Sequence, residues 1–308
     1  MQAQLIDVVW QAMLWVCGLM YLLVIAFFAH ALWRRRRLRG ERADDGREER
    51  SHRGLSISLL AWGVLIVVGL AGLFTVELVV DRGLARAAVE PAVRLQVNAQ
   101  QWWWEIQYES SRPDQRLRTA NEIHIPVNEP VEAMLQSRDV IHSFWVPRLH
   151  GKIDLIPDRT NTIRLQALAT GRYRGQCAEF CGLQHAHMAF DVIVHPAGEY
   201  RAWLARQLAP ARPPGNDLER RGQAVFLRSA CSSCHAITGT PAFGALGPDL
   251  THVGSRLTLA AGTLENSREN LLRWIANPQR FKPGTRMPVV ALDDEDRRAV
   301  AAYLASLQ

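Results

Sequence analysis

The sequence predicts a multidomain membrane protein built from an N-terminal hairpin of two transmembrane helices, an all-β domain and a small all-α domain. Three observations carry this. Two uncharged apolar runs lie near the N-terminus, short apolar stretches alternate between residues 91 and 195, and the periodicity turns helical after a proline-rich segment. The 308 residues leave room for two soluble domains beside the spans, and 48% hydrophobic content excludes general disorder. The net charge of +6 is mostly the product of one loop. It is weak ground for a nucleic-acid partner, and none is expected.

The first apolar run, residues 8–33, has no Lys, Arg, Asp or Glu. At about 1.5 Å per residue it exceeds a hydrocarbon core of about 30 Å. Residues 57–76 are again free of full charges and just long enough to cross. The hairpin is therefore assigned to residues 1–81, with spans at about 8–33 and 56–80. Between the spans, nine arginines from Arg34 to Arg53 face five acids, which puts this loop in the cytoplasm and both termini outside. A cleaved signal peptide carries positive charge ahead of its apolar run, whereas here only Asp7 precedes it. Everything from about residue 82 onward is then external, where disulfides are chemically allowed. Within the first span, Cys17 reads as a small buried hydrophobe.

In the exported part, VRLQVNAQ, EIHIPVNEPVEAMLQ, NTIRLQAL and FDVIVH alternate between Pro, Gly, Asn and Asp signals, the pattern of a β-sandwich or Greek-key barrel. A short helix, AGEYRAWLARQL, follows at residues 197–208 and closes a domain of residues 91–208. APARPPGN, residues 209–216, has the composition of a stiff linker. LERRGQAVFLR, RENLLRWIANP and DDEDRRAVAAYLASL then define an α domain of residues 217–308, with no internal repeat.

The α domain contains CSSCH, residues 231–235. Two thiols able to add to haem vinyl groups, followed at once by an imidazole for the iron, form the c-type haem attachment signature: Cys231, Cys234 and His235. A zinc site would need a second Cys pair downstream and a thioredoxin-like motif a βαβ pattern, and both are missing from the sequence. Met287 in KPGTRMP, the only methionine after His235, is the expected sixth ligand, because Met/His ligation raises the potential of electron-carrying cytochromes. The competing ligand is His252 in GPDLTHVG, read as packing beside the haem or bonding locally.

CAEFCGLQHAHM, residues 177–188, packs two thiols, a carboxylate, two imidazoles and a thioether into twelve positions. Cys181, His185 and Met188 alone follow the order of a mononuclear blue-copper loop. Cys177 adds a second thiolate, which lets two sulfurs bridge two copper ions. The second copper then needs an imidazole from elsewhere, and the candidate is His142 in DVIHSFWVP, at a preceding strand end. A disulfide between Cys177 and Cys181 accounts for both thiols but leaves the His and Met spacing to chance.

CAEFCGLQHAHM, DVIHSFWVP and QWWWEIQY behind an N-terminal hairpin resemble subunit II of the haem-copper cytochrome c oxidases, and the CSSCH domain resembles the variant with a fused cytochrome c. The resemblance covers nearly the whole chain. It implies a cupredoxin-like Greek-key domain followed by a class I cytochrome c domain. It also implies a dinuclear copper A centre with Cys177 and Cys181 bridging, His142 and His185 terminal, and Met188 and the Glu179 carbonyl as weak axial ligands. The Glu179 side chain is implied to reach a magnesium ion shared with subunit I. Trp102 is implied to stand at the surface above the copper as the point where electrons arrive, with Trp103 and Trp104 as packing. His187 is read as a loop hydrogen-bonding residue. Many members carry a carboxylate at the cytoplasmic end of the second span, for which Glu48 and Glu49 are possible equivalents without a secure alignment.

The function so implied is that of the electron-transfer subunit of an oxygen-reducing, proton-translocating oxidoreductase in a bacterial inner membrane, with the metal domains on the periplasmic or external side. Electrons would run from haem c to copper A and on to subunit I, where dioxygen is reduced. The implied partners are subunit I, other oxidase subunits, a soluble or membrane-bound cytochrome as donor, and membrane lipid. Two other readings stand beside it. A stand-alone anchored electron carrier or copper-handling protein would need no oxidase partner, and a nitrous oxide reductase would need a second, His-rich copper domain that this sequence lacks.

Overall fold

The structure, a computed structural model, describes residues 2–38, 45–86, 90–112 and 115–308. They fall into two units, one of residues 2–88 and one beginning at residue 89 and running to the C-terminus.

The N-terminal unit is two long helices, α1 (Gln2–Leu38) and α2 (Asp45–Arg86). Each contains a stretch long and apolar enough to cross a membrane, Leu5–Arg37 and Arg53–Val80. The helices run past the apolar runs at both ends, so Arg35, Arg36 and Arg37 form the last turn of α1 rather than a loop. Residues 39–44 and the side chains of Glu48 and Glu49 lie outside the described residues. The two helices meet through small and aromatic groups, including Phe27 against Trp62 with ring centroids 6.2 Å apart. Cys17 lies on the outward side of α1, inside the apolar span Leu5–Arg37.

The second unit opens with a β-sandwich. Its strands are β1 (Val93–Gln100), β2 (Trp103–Tyr108), β3 (Leu117–Ala120), β4 (Glu122–Pro126), β5 (Val131–Ser137), β6 (His142–Trp145), β7 (Ile153–Leu155), β8 (Asn161–Leu165), β9 (Gly171–Cys177) and β10 (Ala189–His195). They form two five-stranded sheets, ordered β3-β2-β1-β5-β8 and β4-β10-β9-β6-β7. Consecutive side chains of a strand point to opposite faces, so Val93, Leu95, Val97 and Ala99 of β1 and Val131, Ala133 and Leu135 of β5 all enter the core. The parallel pairings β1–β5 and β4–β10 are crossover connections between antiparallel neighbours, as in a Greek-key sandwich. Helix α3 (Ala197–Leu208) closes the domain with Tyr200 and Trp203 buried.

The helical domain comprises α4 (Asp217–Arg228), the single turn α5 (Cys231–Cys234), a two-stranded ribbon of β11 (Thr258–Leu259) and β12 (Leu264–Glu265), α6 (Arg268–Ala276), the turn α7 (Pro278–Phe281) and α8 (Asp294–Ser306). Its helices start where side chains can satisfy free amides: Asn216 accepts from Glu219 N, Ser267 from Asn270 N and Asp293 from Asp296 N. Val225, Phe226, Leu271, Ile275, Val300 and Tyr303 build its core.

Helices α4 and α8 cross at Gly222, where an added Cβ would lie 2.1 Å from the Ala299 carbonyl oxygen. The obstacle is backbone and cannot swing away. Gly222→Val is therefore expected to cost about 3 kcal/mol, the upper end of ordinary overpacking. Thermal unfolding of the full-length protein checks this, and an unchanged midpoint contradicts the crossing.

The segment 209–216 is less of a free tether than its composition suggests. Ala211 N donates to Thr238 O at 2.9 Å, Arg212 Nε donates to Ser306 O at 2.7 Å, and Arg212 pairs with Glu219 at 3.1 Å. Prolines fix φ and remove donors; Ala209 N still closes α3 on Arg206 O at 3.2 Å, whereas Ala211, Arg212 and Gly215 donate onto the helical domain.

Candidate functional site

The thiol loop hangs between β9, which ends at Cys177, and β10, which begins at Ala189. Cys177 N donates to Met188 O at 2.9 Å and Ala178 N to Ser143 O at 3.0 Å, so both ends of the loop are fixed to strands. His142 opens the neighbouring strand β6, whose Phe144 stands opposite Cys177. The period of two then puts His142 on the same face as Phe144, one step along from Cys177. Inside the loop Gly182 has φ +108, and a Cβ there would meet Gln101 Nε2 at 3.0 Å and the Trp102 ring at 3.3 Å. Only glycine suits both the angle and the space.

This folding gathers the soft donors named from the sequence. The two sulfurs of Cys177 and Cys181 are 3.7 Å apart and unbonded. His142 Nδ1 lies 3.8 Å from Cys177 Sγ, and His185 Nδ1 lies 3.7 Å from Cys181 Sγ. Met188 Sδ is 3.9 Å from Cys181 Sγ, and the Glu179 carbonyl oxygen is 3.2 Å from Cys177 Sγ. His142, Cys177, Cys181 and Met188 are buried.

The free thiols share their charge unequally. The Cys181 sulfur beside it lowers the Cys177 pKa to about 3, against the opposing effect of burial, and the bond to His142 adds to this. Cys177 and burial in turn push Cys181 well up. Metal held by these two sulfurs would displace that shared proton and take both as thiolates.

A carboxylate that the sequence reading passed over orients the first imidazole. Asp139 Oδ1 accepts from His142 Nε2 at 2.8 Å, which turns Nδ1 toward the sulfur. Burial pulls the His142 pKa down, and the bonds to Asp139 and Cys177 outweigh it, so the net shift is upward. Burial likewise pushes Asp139 up, but the bonds from His142 and from the amides of Gln101 and Val140 hold it below its usual range. Asp139 sits three residues before His142 in the sequence, a local signal that could have found it. Trp104, fully buried, floors the site with its ring centroid 6.3 Å from His142 and 5.0 Å from Phe190.

Trp102 differs from its expected place at the surface. It is 8% exposed, and its indole N–H donates to Cys181 O at 2.9 Å, beside Gln101 Nε2 donating to the same oxygen at 2.8 Å. The helical domain covers it: a Cβ on Gly284 would touch the Trp102 ring and Leu183, each at 3.4 Å. Trp103 is half-buried. The Glu179 side chain is partly exposed and pairs with Lys152 at 3.4 Å. His187 Nδ1 donates to Gln184 Oε1 at 2.9 Å.

In the helical domain, Cys231 and Cys234 form the turn α5 and His235 follows it. His235 Nδ1 donates to Pro248 O at 2.7 Å, which leaves Nε2 as the lone-pair nitrogen. The half-buried imidazole has its pKa lowered by burial. The surroundings fit a planar macrocycle: a Cβ on Gly247 would lie 2.5 Å from the His235 ring, one on Gly244 would lie 2.4 Å from the Cys234 carbonyl carbon, and Phe243, Leu246 and Val289 stand exposed. Met287 lies in the loop after α7, half-buried. Gln279 pins that loop, donating to Thr285 O and Met287 O and accepting from Gly284 N. His252 is buried, and its two ring nitrogens face the carbonyls of Gln308 and Ala209, which turns neither of them toward a metal.

A sandwich with a buried dithiolate–imidazole cluster, joined to a helical domain with a thiol–thiol–imidazole turn and preceded by membrane-type helices, defines a membrane-anchored redox protein. Residues 93–195 match the family described as cytochrome c oxidase subunit II, periplasmic domain, and residues 219–308 match cytochrome c. The chain is similar to cytochrome c oxidase subunit 2 of Alkalihalophilus pseudofirmus, 35% identical over 299 residues that cover 95% of this chain and 84% of that one. The corresponding protein of Bacillus sp. strain PS3 is 36% identical over 228 residues, 70% of this chain and 62% of that one. That of Bacillus subtilis is 31% identical over 258 residues, 80% of this chain and 71% of that one. The chain belongs to the cytochrome c oxidase subunit II family and carries a cytochrome c domain. It is a subunit of an oxidoreductase and a membrane protein, and its two matched domains imply copper and haem.

Proposed function

We propose that this chain is the electron-transfer subunit of its oxidase, with a dinuclear copper A centre held by His142, Cys177, Cys181, His185, Met188 and the Glu179 carbonyl, and a covalent haem c held by Cys231, Cys234, His235 and Met287. When bound, the haem and the copper pair supply one-electron carriers that serve an oxygen-reducing site in subunit I. The observation that carries this reading is the pair of unbonded sulfurs 3.7 Å apart with an imidazole nitrogen beside each. One blue copper needs one thiolate; two thiolates with an imidazole on either side suit two metals.

The residues around the centre orient and shield it. Asp139 holds the His142 ring, Trp104 and Phe190 exclude water beneath it, and Gln101 and Trp102 fix the Cys181 carbonyl. On the other domain, Pro248 fixes the His235 tautomer and Gln279 fixes the Met287 loop. The arginines at the end of α1 favour the cytoplasmic side, which leaves both soluble domains periplasmic. At that face Glu179 would exchange Lys152 for a magnesium ion shared with subunit I, a hard cation suited to carboxylate oxygen. A soluble or membrane-bound cytochrome is the electron donor in this reading.

The alternative of a lone anchored carrier predicts a different purification. On gentle solubilisation a large multi-span subunit should accompany this chain in constant ratio, and its isolation as a single species contradicts the assignment. Within the assembled protein, Trp102→Ala should slow electron transfer between the domains severalfold in flash experiments and leave copper content unchanged. The indole supplies a ring contact and a hydrogen bond but no ligand. An unaltered rate together with a slow Trp103→Ala would assign the contact to Trp103.

A further inference from the structure

Of the 36 basic side chains in this sequence only Lys152 and Lys282 are lysines, and Lys282 is 2% exposed. A buried ammonium is costly unless its three donors are met. Here they are: Nζ donates to Trp102 O at 2.6 Å, to His187 O at 2.7 Å and to Ala260 O at 3.0 Å. Two of these carbonyls belong to the β-sandwich and one to the helical domain that carries the lysine. Arginine, so abundant elsewhere, is a planar fork and cannot direct three donors at a point; lysine can.

The same loop makes further close contacts across the interface, beside those in which Ala189 N donates to Ala261 O at 3.0 Å and Leu257 N donates to the Glu122 carboxylate. Gln184 Nε2 donates to Pro283 O at 2.8 Å, Gly284 lies against the Trp102 ring, and Arg286 pairs with Asp139 at 3.6 Å. Asp139 is the residue that orients His142, and Met287 follows Arg286 directly. One six-residue stretch, 282–287, thus contains the buried ammonium, the ring contact and the sulfur expected to face the haem iron.

We propose that Lys282 is a docking latch, a positioning residue whose ammonium fastens the Met287 loop to the copper loop so that the two redox domains work from one fixed arrangement. Its functional consequence rests on the electron relay proposed above; the latch itself does not. A fixed pair needs no search by a tethered domain, so electron transfer within the chain should not sense the ionic strength that screens transient charged encounters.

The test uses the full-length protein in its oxidase. In the unsubstituted protein, flash-induced transfer between the domains should keep the same rate from ~0.01 M to ~1 M salt, over which the screening length falls about tenfold. Lys282→Met keeps the chain length and apolar stem but removes every donor. It should raise hydrogen exchange at residues 183–188 and 279–287 at least tenfold and slow transfer by ~10-fold, with copper content and both spectra unchanged, because three buried carbonyls lose their partner. Lys282→Arg should not restore the rate. Unchanged exchange and rate in Lys282→Met overturns the latch. If that variant does not assemble, a steep fall of the unsubstituted rate with salt overturns it instead, and a flat response supports it. Should the unsubstituted protein lack the copper spectrum, the relay reading fails, and the exchange arm still decides the latch.

Discussion

Full-length protein carrying Cys177→Ser should lose the mixed-valence copper spectrum and at least one copper per chain, while its haem spectrum stays as it was. The effect is large because Cys177 is no peripheral donor. Its sulfur lies 3.7 Å from Cys181 Sγ, 3.8 Å from His142 Nδ1 and 3.2 Å from the Glu179 carbonyl, so it stands where one half of a two-metal core would form. Serine is nearly the same size, but its hydroxyl is a hard, high-pKa donor that cannot bridge two soft ions. The haem is untouched because its ligands sit in another domain with its own core. Copper content and optical spectra of the purified variant check this, and a retained mixed-valence spectrum contradicts a bridging role.

Met287→Ala is expected to lower the haem potential and to let carbon monoxide bind the reduced iron. A thioether favours the ferrous state and occupies the sixth position; alanine does neither. The substitution should leave the fold intact, because Gln279 holds this loop through the backbone at Gly284, Thr285 and Met287 rather than through the methionine side chain. A redox titration and a carbon monoxide difference spectrum read the outcome. Unchanged values would assign the ligand elsewhere, although His252 is a poor substitute with both ring nitrogens facing backbone carbonyls.

The parts legible in the sequence were those in which the chemistry is local. The donors of the copper loop fall within twelve consecutive residues, CSSCH within five, and the strands at 93–100, 161–165 and 190–195 follow the alternation that the pleat requires. The helix at residues 197–208 was likewise readable from its periodicity. His142 needed one long-range step, taken because a second metal calls for an imidazole outside the loop and DVIHSFWVP offers one at a strand end.

What the sequence hid depends on distant pairings. Lys282 reaches a carbonyl 180 residues earlier and another 95 residues earlier, and no spacing rule connects them. Its neighbours in KPGTRMP drew notice only to Met287 as a haem ligand. The covering of Trp102 was hidden for the same reason, since exposure is decided by what packs on a side chain and not by its own strand. The segment 209–216 read as a tether because composition reports stiffness, whereas the amides of Ala211 and the guanidinium of Arg212 found partners at Thr238 and Ser306 only in the folded domain.

The central claim is that one chain holds both a two-copper centre and a haem c. Metal analysis of the purified full-length protein, combined with its optical and electron paramagnetic resonance spectra, tests it most directly. Two bridging thiolates, two separate imidazoles and one CSSCH require two coppers to one haem per chain, with the signature of an electron shared equally between the two coppers. One copper per chain with a blue-copper spectrum would contradict the account.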